Sequence, residues 1–349
     1  MKKKGLKHFL HNFFKIFIIF MIGVALLHLI IYIVMTTSHK KKLKEEAVYL
    51  TMPGELVKVN GHDLHVMQGG EDDSENTLVF LHTSKAVDDC VALEPLFGKL
   101  DNCEYIYIDR SGYGYSPVSE SDRSAETIVE EYRAALKLVG EEAPYTLVSM
   151  GTSGVYAFEW AKLYPEEVER IIGVNMNYPE QFADVSQEQY CSFLDYLMVG
   201  FCDMGGHRLL KSIFPSDGFG VYTAEQMKER KAIFAKMAYN QDIFNEDSVT
   251  LAEAKKVSDM GFPEDTEMYL IYANPLMEPY LSADSYVKEE YDKAVKENSE
   301  VDYQLEYNRS VREYFQSYKN VKVVEMSGPD KLYLYNPTEL GKLINEYID

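Results

Sequence analysis

Hydrolysis through a hydroxyl nucleophile needs three groups. They are a serine or similar oxygen on a tight strand-to-helix turn, a histidine that takes its proton, and a carboxylate that holds that histidine's tautomer. The stretch YTLVSMGTSGVYAFEW (145–160) offers a serine hydroxyl in two places, Ser149 and Ser153, on either side of Gly151. Histidine limits the choice of base: the chain has 8, and none follows His207. His82, directly after the apolar run TLVFL (77–81), is the imidazole a rearranged site would recruit. Cys90, Cys103, Cys191 and Cys202 make no C-x-x-C pair, so no zinc or dithiol redox site is expected. Four thiols suit either burial or pairing in an oxidising compartment. No metal or cofactor is implied.

The elements that would carry these groups follow from apolar periodicity. Asn60-Gly61 between alternating valines and leucines signals a two-residue hairpin. Short apolar runs at 77–81, 105–109, 145–149 and 170–175 alternate with helical spacing at about 88–100, at 124–139 (with Ser124 as cap) and through Tyr164. That alternation predicts an α/β class, a mostly parallel doubly wound sheet covered on both faces. It stops between 178 and 262, which reads as a helical insertion; Tyr190, Tyr196, Met198, Met204, Met237 and Tyr239 there are expected to form its core. It resumes with strands at 267–274 and 321–326, helices between about 283 and 318, and a last helix from Thr338.

The N-terminus is a different material. Residues 16–35, IFIIFMIGVALLHLIIYIVM, are twenty long and span about 30 Å as a helix, the thickness of a hydrocarbon core. Lysines flank both ends, and TTSHKKK has no small-residue cleavage pattern, so one transmembrane helix anchored in the lipid bilayer is expected. Residues 1–15 are then a basic tail and 36–54 a linker, with the body outside the cytoplasm. The first 44 residues carry nine lysines and no acid; the rest holds 26 bases against all 56 acids, a formal −30. A body so acidic repels phosphate backbones, which argues against nucleic acid.

The region 77–175 resembles the α/β-hydrolase fold superfamily, in its proline-iminopeptidase/epoxide-hydrolase-like branch. His82-Thr83 is similar to the His-Gly that opens the family's oxyanion loop. DRSGYGYS (109–116) looks like its Asp-x-x-Gly-x-Gly-x-Ser stretch, and 146–175 matches the nucleophile strand, elbow, helix and next strand. The resemblance implies a core of 55–177 and 263–349 with a helical cap at 178–262. It places the G-x-S-x-G elbow on Ser149-Met150-Gly151-Thr152-Ser153, so the nucleophile position is Gly151, which has no side chain. The histidine position falls on Asp330 and the acid on Leu276; Glu278 is a shifted candidate, and the alternative acid site offers Asn175 and Asn177. Ser149 and Ser153 are expected to be small packing residues, His82 to be structural, and His207 to pack in the cap.

The expectation is therefore a membrane-anchored protein of this fold with no working triad, serving binding, sensing or scaffolding. Its ligand would be small and apolar or carbonyl-containing, in a pocket of His82, Thr83, Ser84, Met150, Gly151, Thr152 and Asp330. The backbone N–H groups of Ser84 and Thr152 would face that ligand. The competing reading is an active serine hydrolase or peptidase-like enzyme that uses Ser149 or Ser153 with His82. A third is a component of a membrane assembly.

Overall fold

A computed structural model describes residues 2–71, 74–119, 121–183, 185–215, 221–277, 299–328 and 330–349. Its centre is one eight-stranded sheet: β1 (Glu55–Val59), β2 (His62–Gly70), β3 (Thr77–Leu81), β4 (Glu104–Asp109), β5 (Tyr145–Met150), β6 (Val168–Val174), β7 (Glu267–Asn274) and β8 (Val321–Ser327). The order is β1-β2-β4-β3-β5-β6-β7-β8; β2 is antiparallel to both neighbours and the rest of the sheet is parallel. The hairpin closes Val59 on His62, with Asn60 and Gly61 both at positive φ, as a twisted two-residue turn requires.

Alternate strand residues feed two apolar layers. Val79 and Leu81 point to the face covered by α4 (Ala125–Val139) and α5 (Gly154–Leu163), while Leu78 and Phe80 point to that covered by α2 (Asp89–Ala92) and α3 (Glu94–Phe97). Burial on both sides is why these strands are continuous apolar runs rather than alternating ones. The single helix expected over 88–100 is two short ones, and Pro95, with no N–H to donate, sits in the first turn of the second. The Ser124 hydroxyl caps α4 by accepting from Thr127 N–H at 3.3 Å.

The insertion is helical as expected. Between β6 and β7 lie α6 (Gln187–Tyr190), α7 (Phe193–Asp203), α8 (Ala224–Met237) and α9 (Gln241–Asp259), with short 3₁₀ turns between. Met237 is buried, but Tyr196 is half exposed. After β7, α10 (Ser299–Phe315) packs Val311 and Phe315 into the α4 side; residues 278–298, where further helix was expected, lie outside the described ones. Two helices, α11 (Leu332–Tyr335) and α12 (Pro337–Ile348), end the chain.

One boundary differs from expectation. Residues 36–46 are not a linker but the last turns of α1 (Lys2–Glu46), one helix that includes the apolar stretch. Lysine, leucine and glutamate in KKKLKEE favour helix, and the cap holds that end. Arg208 donates to Glu46 through both terminal nitrogens, at 2.7 and 2.6 Å, and to His39 Nδ1 at 2.8 Å. Gly205 lies close against the His39 side chain, where an added Cβ would come within 2.5 Å of the His39 Cβ. The apolar part of α1, by contrast, is long enough to cross a membrane and none of it is buried.

Candidate functional site

The site is assembled at the C-terminal edge of the parallel strands, where ligands of open α/β sheets bind. β5 ends at Met150, a 3₁₀ turn covers Gly151–Ser153, and α5 begins at Gly154. Gly151 has φ +53°, the left-handed conformation expected for an elbow tip and costly for most side chains. A second constraint comes from the neighbouring strand. β3 pairs with β5, so the loop after it brings Thr83 over the tip. A Cβ built on Gly151 would overlap the Thr83 hydroxyl oxygen and lie 2.9 Å from Thr83 Cβ. The space that a nucleophile's side chain would leave through is filled.

The flanking serines are fully buried and tied inward. Ser153 Oγ lies 2.7 Å from the Leu81 carbonyl oxygen and 2.9 Å from that of Met150, and accepts from Met150 N–H at 3.0 Å; Ser149 Oγ lies 2.9 Å from it. The loop amides are also engaged. Ser84 N–H donates to Thr152 Oγ1 at 2.9 Å, and Thr152 N–H donates to Thr83 Oγ1 at 3.3 Å. These two amides, expected to face a ligand, instead bond to side chains, because a threonine on each loop supplies an oxygen at the right reach.

His82 is buried with both ring nitrogens engaged by backbone. Nδ1 faces the Thr83 carbonyl at 3.1 Å and Nε2 accepts from Arg110 N–H at 3.3 Å, which fixes the Nδ1–H tautomer. Burial, with the Arg110 charge beside it, pushes its pKa well below the usual value, so the ring is neutral. Asp109, which opens the DRSGYGYS stretch, accepts from Tyr115 N–H at 3.0 Å and faces His65 Nδ1 at 2.8 Å, so it shapes this loop.

Above the turn stands an ion pair that no sequence motif announced. Arg110 donates from Nε to Glu246 at 3.0 Å and from Nη2 at 2.7 Å, and also to the His82 carbonyl at 2.6 Å; both side chains are buried. Glu246 comes from α9 and also accepts from Tyr113 at 3.1 Å and Ser84 Oγ at 3.3 Å. Burial alone would raise the Glu246 pKa, but the guanidinium and these donors hold it below the ordinary carboxylate value. One turn earlier on the same face, Asp242 accepts from Ser111 at 2.5 Å and Ser119 N–H at 2.8 Å. The i, i+4 spacing of Asp242 and Glu246 was the available signal, and Arg110 directly after Asp109 the other.

The remaining expected positions are scattered. Asp330 has an exposed side chain, and its backbone carbonyl accepts from the Asn175 amide. Asn175 also accepts from Ala273 N–H at 2.8 Å, whereas Asn177 donates its main-chain N–H to the Gly151 carbonyl at 2.8 Å and its side-chain amide to Gln181 and Tyr307, each at 3.2 Å. Leu276 donates its N–H to Asn274 Oδ1 at 3.0 Å. Glu278 lies outside the described residues. A cavity of about 390 Å³ opens beside this cluster, but its walls begin at Lys85 and include none of the seven residues expected to line a pocket.

Solved structures share this architecture. A point mutant of haloalkane dehalogenase DatA from Agrobacterium tumefaciens C58 superposes with a TM-score of 0.56 at 14% identity, over 86% of this chain and 98% of its own. The chain has the α/β-hydrolase fold. Cfl2 from Burkholderia cenocepacia matches at a TM-score of 0.57 and 13% identity, over 84% and 95% of the two chains. A carboxylesterase structure from Nitrososphaera gargenis matches at 0.51 and 11%, over 84% and 97%. In sequence, the uncharacterized protein YbdG of Bacillus subtilis (strain 168) is 26% identical over 342 residues, covering 96% of this chain and 97% of its own. No family model matches the chain.

Proposed function

We propose that this protein is a membrane-anchored α/β-hydrolase-fold protein that binds or senses a ligand rather than hydrolysing one through a serine. The observation that carries this is the elbow: Gly151 at φ +53°, with the Thr83 hydroxyl in the space a nucleophile's side chain would take. The neutral, backbone-bound His82 and the occupied amides of Ser84 and Thr152 support the same reading, since among the described residues neither a free histidine base nor an open pair of amides stands ready. A rearranged site at Ser149 or Ser153 would have to break hydrogen bonds that hold the turn itself.

The anchor is α1. None of its apolar stretch is buried, which water would penalise heavily and a bilayer would not. The helix continues without a break into the segment gripped by Arg208, a poor arrangement for a cleavable leader. Leu209 and Leu210, directly after that arginine, are exposed as well. The match to YbdG covers too much of the chain to omit this helix.

The test is turnover by the purified full-length protein in non-ionic detergent, against p-nitrophenyl butyrate and 1-iodobutane. Release of product at the buffer rate supports the reading. Turnover that disappears in Ser149→Ala or Ser153→Ala overturns it.

A further inference from the structure

The cap helix α7 carries apolar side chains on its outer face. Cys202 is buried, and Met198, one turn before it, is half-buried, so this side of the helix faces the body. Asp195, on the same side, accepts from the Ser192 N–H and hydroxyl, each at 2.7 Å. Opposite them, Phe193, Leu197 and Gly200 form an exposed stripe flanked by Leu194 and Tyr196. Phe193 is 71% and Leu194 70% exposed. The 3₁₀ turns that follow, Gly206–Leu209 and Lys211–Ile213, add Leu209 at 72%, with Leu210 and Ile213 also exposed. Clustered large apolar side chains in contact with solvent mark a surface that something covers.

The position of this surface says what covers it. Gly205, between α7 and the first of those turns, lies against His39 of α1. His39 is four residues past Met35, where the apolar stretch ends, which is about 6 Å along a helix. The headgroup layer of a bilayer is about 5–8 Å deep on each side of the hydrocarbon core. Residues 25–34 of α1 are exposed throughout, whereas Met35 and Thr36 are half-buried and His39 is buried. The protein thus begins to cover α1 where its apolar stretch stops. Arg208 fixes the turns at that level through His39 and Glu46.

Charge points the same way. The body, at a formal −30, is repelled by an anionic leaflet over most of its surface. Here, however, Lys40, Lys42 and Lys44 are exposed on α1, and Lys211 is exposed beside Leu210. Against them on the same segments stand the exposed acids Asp203 and Glu45, the latter paired with Lys41 at 3.8 Å.

We propose that the outer face of α7 and the turns at 206–213 form a second membrane contact, seated in the headgroup layer of an anionic leaflet. Phe193, Leu194, Leu197, Leu209 and Leu210 reach toward the acyl boundary, while the lysines meet lipid phosphates. Interfacial segments bind by this division of apolar and basic groups. The inference rests on α1 being the anchor, and it makes the cap the part of the body that meets lipid. Ile213 also lines the cavity of about 390 Å³, so the lipid-facing turn is one of that cavity's walls.

The experiment attaches an environment-sensitive NBD fluorophore to the full chain at Leu197→Cys or Leu209→Cys. Leu138→Cys is the control, an exposed leucine at the end of α4, on the edge of the sheet where the parallel strands begin. The four native cysteines are buried and escape the label. Each protein is reconstituted into vesicles of equimolar phosphatidylcholine and phosphatidylglycerol, with or without a headgroup nitroxide lipid. Blue-shifted emission at Leu197 and Leu209, mostly lost with the nitroxide while the Leu138 label stays bright, supports the proposal. Protein that resists alkaline carbonate extraction but keeps unquenched cap labels overturns it and leaves the anchor standing. Blue-shifted but unquenched labels, expected where a second copy covers this face, also overturn it, as does equal quenching at all three positions. Protein stripped from the vesicles by carbonate overturns the anchor and this proposal with it.

Discussion

Glu246→Gln isolates the contact that joins cap to core. The carboxylate faces four donors: Arg110 Nε at 3.0 Å, Arg110 Nη2 at 2.7 Å, Tyr113 at 3.1 Å and Ser84 at 3.3 Å. An amide keeps one acceptor oxygen but turns an NH₂ toward a guanidinium whose side chain is 1% exposed. Arg110 would stay charged with its counter-ion gone, which costs about 3–5 kcal/mol. Replacing both partners with apolar residues, Arg110→Met with Glu246→Leu, should restore stability to within about 2 kcal/mol of wild type, because no charge is then stranded. The assay is urea unfolding in detergent followed by fluorescence of Trp160, the sole and fully buried tryptophan. If Glu246→Gln lies within about 0.5 kcal/mol of wild type, the pair does not hold the cap as described.

Two further outcomes concern the anchor joint and the elbow. Burial, with His39 and Arg208 nearby, lowers the His207 pKa to about 4 against an unfolded 6.5. The unfolded chain binds the extra proton, so this stability is present above about pH 6.5 and is lost as pH falls toward 4. Cap stability should drop by about 2 kcal/mol between pH 8 and pH 5, and a His207→Phe variant should lose that slope in the same urea assay. Gly151→Ser should destabilise by about 1–3 kcal/mol, from the left-handed backbone and the overlap with Thr83, and should gain no esterase activity because His82 is neutral and bound to backbone, leaving no free histidine base at the turn among the described residues. Appreciable p-nitrophenyl butyrate turnover from that single change would show that another group serves as base.

The sheet was legible because each strand is a local pattern. TLVFL, YIYID and RIIGV are apolar on both faces, and Asn60-Gly61 can hardly be anything but a tight turn. The elbow was legible only through the resemblance of 146–175 to the α/β-hydrolase nucleophile strand and helix, which put Gly151 at a tip that takes a positive φ. What the sequence hid depends on distance along the chain. Arg110 and Glu246 are 136 residues apart, and only the folded cap makes them neighbours. Thr83 and Thr152, 69 apart, each look like an ordinary loop threonine until pairing of β3 with β5 brings them together. The lysine-rich segment after residue 35 reads as a linker because its grip by Arg208 is tertiary.

Labelling with a serine-reactive fluorophosphonate measures the state of the elbow directly. The full-length protein, incubated with the probe and analysed by intact mass, should show no covalent adduct. A stoichiometric adduct on native protein, absent from Ser149→Ala or from Ser153→Ala, would contradict the account.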